Sequence, residues 1–521
     1  MKKFVRSARL AYFGNATVTR DFRTQLRGNR SLWLWLGYLL FLVCFGGLAY
    51  NGQVDNGYNS SVASLQTNLW QFYGVLIGMI AGVICLVAPG LTAAAVTTER
   101  QRRSLDLIFS APVSPRYFLV GKMISGFRYL LMLLILALPV ISVCVVMGGA
   151  TWADVLGAVI IILNSGVVMM AIGLLCSSIC PNSIAAILAS YVSITAYYIV
   201  TGPLAMSSLG SMMGGPSTPT NWMVTLIPFT ATFSAPTFSL VAGKQIPNWV
   251  FLTLYSLLFA KFALAAAGSA LSPPGSAETK GLRIHGLLGM AGLGALVGSA
   301  VTGLLTMSSA VSGSGPSVTS SPSNAVGQVI AGTFLATFLV WPQVLCFGSD
   351  ASRRFYDDGL ISIKAAIKGT PSGGLIYLLM MLVSVFTGLI LVVPNSLVFD
   401  KQVFATMFWT ACFITMWWGL ARFISARATS VKAARIGFVS TMLLVVAIPI
   451  PIMTMVVQAY NYQGNFQAAS VYKMHVMSPL FTDTLDSKLY IGVAELVIGI
   501  LFAWLSVNHI KRKRVGIKFD V

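Results

Sequence analysis

The sequence predicts an all-α, polytopic integral membrane protein, a bundle of about twelve transmembrane helices with both termini in the cytoplasm. Three observations predict this fold class. Of the 521 residues, 56% are hydrophobic and only 9% are charged, whereas about a quarter of the residues in an ordinary soluble domain are charged. Apolar runs of about 20 residues, the length that a helix needs to cross a bilayer, recur along the chain. Lys and Arg fall on alternate loops between these runs.

The apolar runs form two groups of six. The predicted spans cover residues 32–50, 72–95, 125–147, 155–178, 184–204 and 249–271 in the first group, and 286–307, 326–347, 374–393, 404–424, 438–459 and 489–507 in the second. These runs are apolar on all sides, whereas a membrane β-strand alternates apolar and polar residues. Helices are therefore the predicted spanning elements.

This pattern predicts that the chain is organised in five segments. Residues 1–31 are predicted to be a basic amphipathic segment on the cytoplasmic face, 32–271 a first six-span half, 272–285 a cytoplasmic linker, 286–508 a second six-span half and 509–521 a basic cytoplasmic tail. Each half has a basic cytoplasmic segment after its second span and a long outer loop before its sixth. The sequence therefore predicts two parallel repeats.

The distribution of positive charge sets the orientation. All but five of the 34 Lys and Arg residues lie on the same side of the predicted bilayer as the N-terminus. Lys244, Lys401, Lys473 and Lys488 lie on the other side, and Lys261 falls inside a span. This bias predicts a multi-pass protein of the cytoplasmic (inner) membrane. It also accounts for the net charge of +20 without a nucleic-acid partner.

Neither a metal site nor a catalytic residue is predicted. The seven cysteines lie within or at the ends of apolar runs, where a free cysteine behaves as a small hydrophobe. His285, His475 and His509 lie outside the spans or at their ends and far apart in sequence, so a metalloprotease or haem site lacks its ligands. The chain is therefore predicted not to be an enzyme.

The stretch Thr97–Lys122 follows the second span and is the most informative part of the sequence. It reads TTERQRRSLDLIFSAPVSPRYFLVGK. Glu99 and Arg103 are one helical turn apart and are predicted to pair. An apolar side is supplied by four residues, Leu105, Leu107, Ile108 and Phe109. Such a helix can place its apolar side in a groove of a partner, and Pro112 and Pro115 are predicted to end it. The alternative is a solvated loop that merely obeys the charge rule.

This stretch resembles the segment by which permeases of the type 2 ABC exporter family contact their ATPase. The shared features are a Glu followed by basic residues, a Leu-rich turn, a Pro-Val-Ser step and Gly-Lys at the start of the third span. The stretch Arg20–Arg30 is similar to the basic helix before the first span of the same permeases. The resemblance implies an exporter permease with an ATPase-docking segment at Glu99, Arg103, Leu105, Leu107, Ile108, Phe109 and Pro112.

The ATPase is expected on a separate polypeptide, which would bind ATP and Mg, because the chain has no Gly-x-x-x-x-Gly-Lys-[Ser/Thr] loop. No cofactor is predicted in this chain. The chain departs from the family pattern in two ways. It has about twelve predicted spans, whereas family members commonly have six. Its second cytoplasmic segment, Ser349–Gly369, lacks the matching Glu and Pro-Val-Ser step. The expected partners are this ATPase, membrane lipids and, as an open alternative, a second permease chain.

Other functions and residues stay open at this point. The alternative functions are a structural or assembly subunit of a membrane complex and a secondary carrier. Lys261 and Glu495 are candidate intramembrane charges, which either face each other or a water-filled path, or else reach an interface. Gly74, Gly78 and Gly82 are predicted to be a helix-packing stripe.

Overall fold

The computed structural model divides into two compact units, Met1–Glu278 and Thr279–Val521. The residues that it describes are mainly helical, with one small hairpin. The residues it describes are 18–20, 29–53, 62–105, 110, 114–209, 222–231, 235–241, 244–271, 277–311, 326–327, 330, 341–346, 366–367, 373–393, 395–428, 430–442 and 485–517. Each unit is considered by itself.

The described part of the first unit contains six long helices and one short helix. They are α1 (Asn29–Gln53), α2 (Val62–Ala93), the short α3 (Ala95–Gln101), α4 (Pro115–Val146), α5 (Trp152–Ile179), α6 (Ser183–Leu209) and α7 (Asn248–Leu271). Two 3-10 turns, Trp222–Leu226 and Pro228–Thr230, precede strands β1 (Phe238–Val241) and β2 (Lys244–Pro247). The strands pair antiparallel, with Phe238 opposite Pro247.

Helix α5 lies at the centre of the first unit, between α2 and α7. Its first turn is held by a capping box, because Thr151 and Asp154 each accept from the other's backbone N–H. Glycines then let α2 approach closely. A Cβ at Gly173 would lie 3.0 Å from the carbonyl oxygen of Pro89, and one at Gly166 would lie 2.9 Å from the side chain of Leu130 on α4. Thr92 also donates to the carbonyl of Met170 at 2.9 Å.

The helices described in the second unit are α8 (Ala277–Val311), α9 (Trp341–Leu345), α10 (Gly374–Ile390), α11 (Asn395–Val398), α12 (Lys401–Arg427), α13 (Val431–Met442) and α14 (Leu485–Ile517). The most extensive helix contact described in this unit joins α12 and α14. They run parallel, since Thr406 contacts Lys488 near their starts and Phe423 contacts Phe502 further along. Gly419 and Gly499 lie where the two backbones come closest.

Among the described residues, eight helices are long and apolar enough to cross a membrane, and Ser183–Thr195 and Gly374–Ile390 are shorter apolar helices. The prediction of an all-α polytopic membrane protein is confirmed at this level. The predicted eighth and eleventh spans lie mostly outside the described residues, so twelve spans in two parallel repeats stay a prediction. Helix α8 begins at Ala277, inside the stretch 272–285 that was expected to be a linker.

Candidate functional site

The short helix α3, which carries Glu99, is fixed to α5 at its start. Ala94 precedes this helix and supplies no side-chain cap, although the first backbone N–H groups of a helix need acceptors. Ser177 of α5 supplies one: its hydroxyl oxygen accepts from the N–H of Val96 at 3.0 Å and of Thr97 at 3.2 Å. Ser177, about eighty residues away in sequence, therefore caps the start of α3 in place of a neighbouring residue.

Replacing Ser177 by alanine is expected to destabilise the first unit by about 1 kcal/mol, the usual cost of losing a helix cap. The matched control is Ser178→Ala, because the Ser178 hydroxyl is also buried but donates only to Leu175 on its own helix. We expect a lower midpoint of thermal unfolding for Ser177→Ala than for Ser178→Ala in detergent. Equal midpoints would show that Ser177 does not hold α3.

Arg100 fastens the other end of α3 to the end of α5. Its guanidinium donates to the carbonyl oxygens of Cys180 at 2.8 Å and Ser178 at 3.0 Å. The last carbonyls of a helix lack intrahelical partners and attract cations. Beside this contact, Ser183 donates to the side-chain oxygen of Gln101 at 2.9 Å. The end of α3 and the α5–α6 corner are therefore joined by direct hydrogen bonds.

Glu99 is the centre of a buried ionic cluster, which we call the Glu99 junction and which consists of Glu99, Ser104, Lys122 and Arg20. The Lys122 ammonium lies 3.2 Å from Oε1 of Glu99, and the two side chains are 10% and 9% exposed. Ser104 donates to Oε2 at 2.5 Å. Arg20 approaches Oε1 at 3.9 Å from a mostly exposed position. The junction thus ties α3 to α4 and to residues before α1.

The predicted pair between Glu99 and Arg103 is wrong. Helix α3 ends at Gln101, and Arg103 adopts a left-handed backbone conformation with φ of 56°, so the two residues do not share one continuous helix. Arg103 is exposed, whereas the carboxylate faces Lys122. The physical reason is that a buried carboxylate needs a partner that is buried with it, and Lys122 provides one.

The residues predicted to form one docking face separate into inward and outward groups. Leu105 is 9% exposed and packs in a small core with Val96, Phe118 and Leu119. Arg102 and Arg103 are exposed. Leu107, Ile108, Phe109 and Pro112 lie outside the described residues, so their part in a docking face stays a prediction.

Pro115 does not end a helix here but occupies the first turn of α4, where its missing N–H costs nothing. Ser114 caps this helix by accepting from the N–H of Tyr117 at 3.3 Å. Seven residues into α4, Lys122 reaches back to Glu99. The helix start therefore positions the cation of the junction.

The predicted intramembrane charges lie in different environments. Lys261 is exposed on α7. Glu495 on α14 is 2% exposed, and its Oε2 accepts from the indole N–H of Trp409 at 2.9 Å. Lys488, predicted to lie in an outer loop, is instead part of α14, fully buried, and donates to Thr406 at 3.0 Å. Glu495 is thus enclosed within its own unit.

The glycine stripe on α2 does not mark a close helix contact within the described part of the chain. A Cβ at Gly78 would meet no described heavy atom within 4 Å, and one at Gly82 would only touch Phe229 at 3.6 Å. Gly74 is half-buried on the same helix. By contrast, a Cβ at Gly294 would clash with the backbone of Val385. No described residue packs against Gly78, so the helix contact predicted for the α2 stripe is not seen at this residue.

The model of one protein family, described as ABC-2 family transporter protein, matches residues 17–271. This part of the chain is similar to ABC-2 family transporter proteins. The match starts before Arg20 and ends at the last residue of α7, so the matched region includes α1 to α7 and the whole Glu99 junction. No curated protein matches the chain.

This match confirms the resemblance that the Thr97–Lys122 stretch indicated. ABC-2 permeases are membrane subunits of transporters, are not themselves catalytic and work with an ABC ATPase. The residues that sequence reasoning missed are Ser177 and the pairing role of Lys122. Lys122 stood in the quoted stretch, but only the fold shows which carboxylate it meets.

Proposed function

We propose that the chain is the permease subunit of an ABC exporter of the cytoplasmic membrane, driven by ATP hydrolysis on a separate ATPase that contacts the stretch between α3 and α4. The observation that carries this proposal is the Glu99 junction. It lies at the end of the second span and clamps this stretch at its base. It also leaves Arg102 and Arg103 exposed beside it.

The junction gives the segment a mechanical connection to the spans. Glu99 and Ser104 tie its start to Lys122 on α4, while Ser177 and Arg100 tie α3 to α5. A displacement imposed on the segment by an ATPase would therefore reach α4 and α5 together. Interdigitated helices move as packed bodies rather than deform continuously, so these contacts favour transmission to the path through the membrane.

Charge reversal of the exposed arginines tests the docking site. The double variant Arg102→Glu with Arg103→Glu is expected to lower ATPase retention on tagged permease at least about tenfold, since reversed charge at an interface repels its partner. The control is Arg427→Glu, which reverses an exposed arginine at the end of α12. Leu107→Asp provides a second variant aimed at the apolar side.

Three outcomes decide between the candidate functions. Loss of the ATPase with Arg102→Glu/Arg103→Glu but not with Arg427→Glu supports docking at this segment. Full retention by the double variant and by Leu107→Asp removes the segment as the docking site. A native complex that purifies without any ATPase contradicts the exporter and favours a structural subunit.

A further inference from the structure

Helix α7, which is long and apolar enough to cross a membrane, carries one cation near the middle of its length. Lys261 lies thirteen residues after Asn248 and ten before Leu271, which is about 20 Å and about 15 Å along the axis at 1.5 Å per residue. The hydrocarbon core is about 30 Å thick. A lysine snorkels to the interface when it lies near a helix end, and Lys261 is more than two turns from both ends.

The side chain of Lys261 points away from the core of its unit. It is exposed and shares a face of α7 with Leu254 and Leu257, which are 49% and 60% exposed. Among the described residues, Ala260 and Ala263 on the other side of the helix pack against Ala171 of α5. No described residue forms an ion pair or hydrogen bond with Lys261. The ammonium therefore faces whatever lies alongside α7.

The chain does not bring an anion to this depth from its own first unit. Only five of the 14 acidic residues precede position 271, and none of them falls within the interior of a predicted span. Glu495, the acidic residue well inside a predicted span of the second half, is enclosed by its own unit and bonded to Trp409. The first half of a second copy of the chain would likewise have no acidic residue in the interior of a predicted span. The predicted spans of the first half therefore carry no acidic residue that could pair with Lys261, whereas a small molecule within the bilayer could bring an anion to it.

We propose that Lys261 binds the anionic head group of a lipid-like amphiphile that reaches α7 from within the bilayer. An unpaired charge is costly at this depth, and a phosphate or carboxylate removes that cost by pairing with it. The exposed Leu254 and Leu257 beside it suit an acyl chain. The conclusion that this amphiphile is the transported substrate rests on the proposed function. It limits the class of substrate to anionic amphiphiles.

Spin-labelled lipids bound to the full chain in nanodiscs of phosphatidylcholine test this site without an ATPase. We expect spin-labelled phosphatidic acid to bind about tenfold more tightly than spin-labelled phosphatidylcholine with the same acyl chains, a difference of about 1.4 kcal/mol. Lys261→Gln should abolish this preference, and Lys261→Arg should retain it. Lys401→Gln is the matched control, because it removes an exposed lysine at the start of α12.

The outcomes separate this inference from the proposed function. Absence of a preference in the wild type, or a preference that survives Lys261→Gln, overturns the inference. Displacement of the label by dodecyl phosphate identifies a single-chain anion as a ligand, whereas resistance to it identifies a two-chain phospholipid; both agree with the inference. If the preference depends on Lys261 but no ATPase associates with the chain, the proposed function fails and the binding site remains.

Discussion

Glu99→Arg is expected to remove ATPase association and ATP-dependent activity. The new guanidinium would stand beside Lys122 and Arg20, which now approach the carboxylate at 3.2 and 3.9 Å. Breaking a buried ion pair by changing one partner costs about 3–5 kcal/mol, and like charges add repulsion. Because the pair is local, we expect the stretch after α3 to detach from α4 while the rest of the unit stays folded.

Two further variants separate charge from size at the junction. Glu99→Gln keeps an acceptor for Ser104 but loses the ion pair with Lys122, so its loss of activity should be smaller. Glu99→Lys combined with Lys122→Glu restores opposite charges and should recover part of the activity. The measurements are ATPase retained on tagged permease and ATP hydrolysis of the complex. If Glu99→Arg retained as much ATPase and hydrolysed ATP as fast as the wild type, a coupling role for the junction would be contradicted.

A second large loss of stability is expected at the contact of α12 with α14. A Cβ at Gly419 would overlap the backbone carbonyl of Gly499, so Gly419→Ala forces these helices apart. Overpacking a tight core typically costs about 1–3 kcal/mol, and Gly419→Leu should prevent folding of the second unit. The yield of monodisperse protein in detergent and its thermal midpoint report this effect.

Gly78→Ala is the matched control because it makes the same chemical change in open space. There the gain in helix propensity, about 0.5–1 kcal/mol, is not opposed by a clash. We therefore expect the midpoint to fall for Gly419→Ala and to stay constant or rise for Gly78→Ala. A fall for both variants would mean that a partner outside the described residues covers Gly78.

On α2, the spacing of the glycines was a poor guide to a helix contact. The regular stripe of Gly74, Gly78 and Gly82 is visible in sequence, yet Gly78 faces open space. Gly419 and Gly499 form the close contact although they are isolated on separate helices. Close approach depends on which residue of the neighbouring helix lies opposite, and that is a property of the packed pair.

Long apolar helices were predictable because length and composition alone decide whether a segment can cross a bilayer. The sequence also singled out Glu99, because it stands in the stretch that carries the family resemblance. It did not predict the partner with which Glu99 pairs. Arg103 is one turn away in sequence, but the chain turns after Gln101 and the pair forms with Lys122, twenty-three residues on.

Long-range capping was likewise hidden in the sequence. Nothing in the composition of α5 distinguishes Ser177 from Ser178, and both are buried. Only the parallel packing of α2 and α5 brings the Ser177 hydroxyl to the first N–H groups of α3. Contacts between segments about eighty residues apart need the fold as well as the pattern.

Photo-cross-linking from position 103 tests the central claim most directly. The side chain of Arg103 is exposed beside the Glu99 junction, so a benzophenone amino acid at this position should be tolerated. In intact cells, we predict an adduct with a cytoplasmic polypeptide that carries a phosphate-binding loop, and its loss with Glu99→Arg. An adduct with a protein outside the cell, or no adduct with any ATPase in the native complex, would contradict the account.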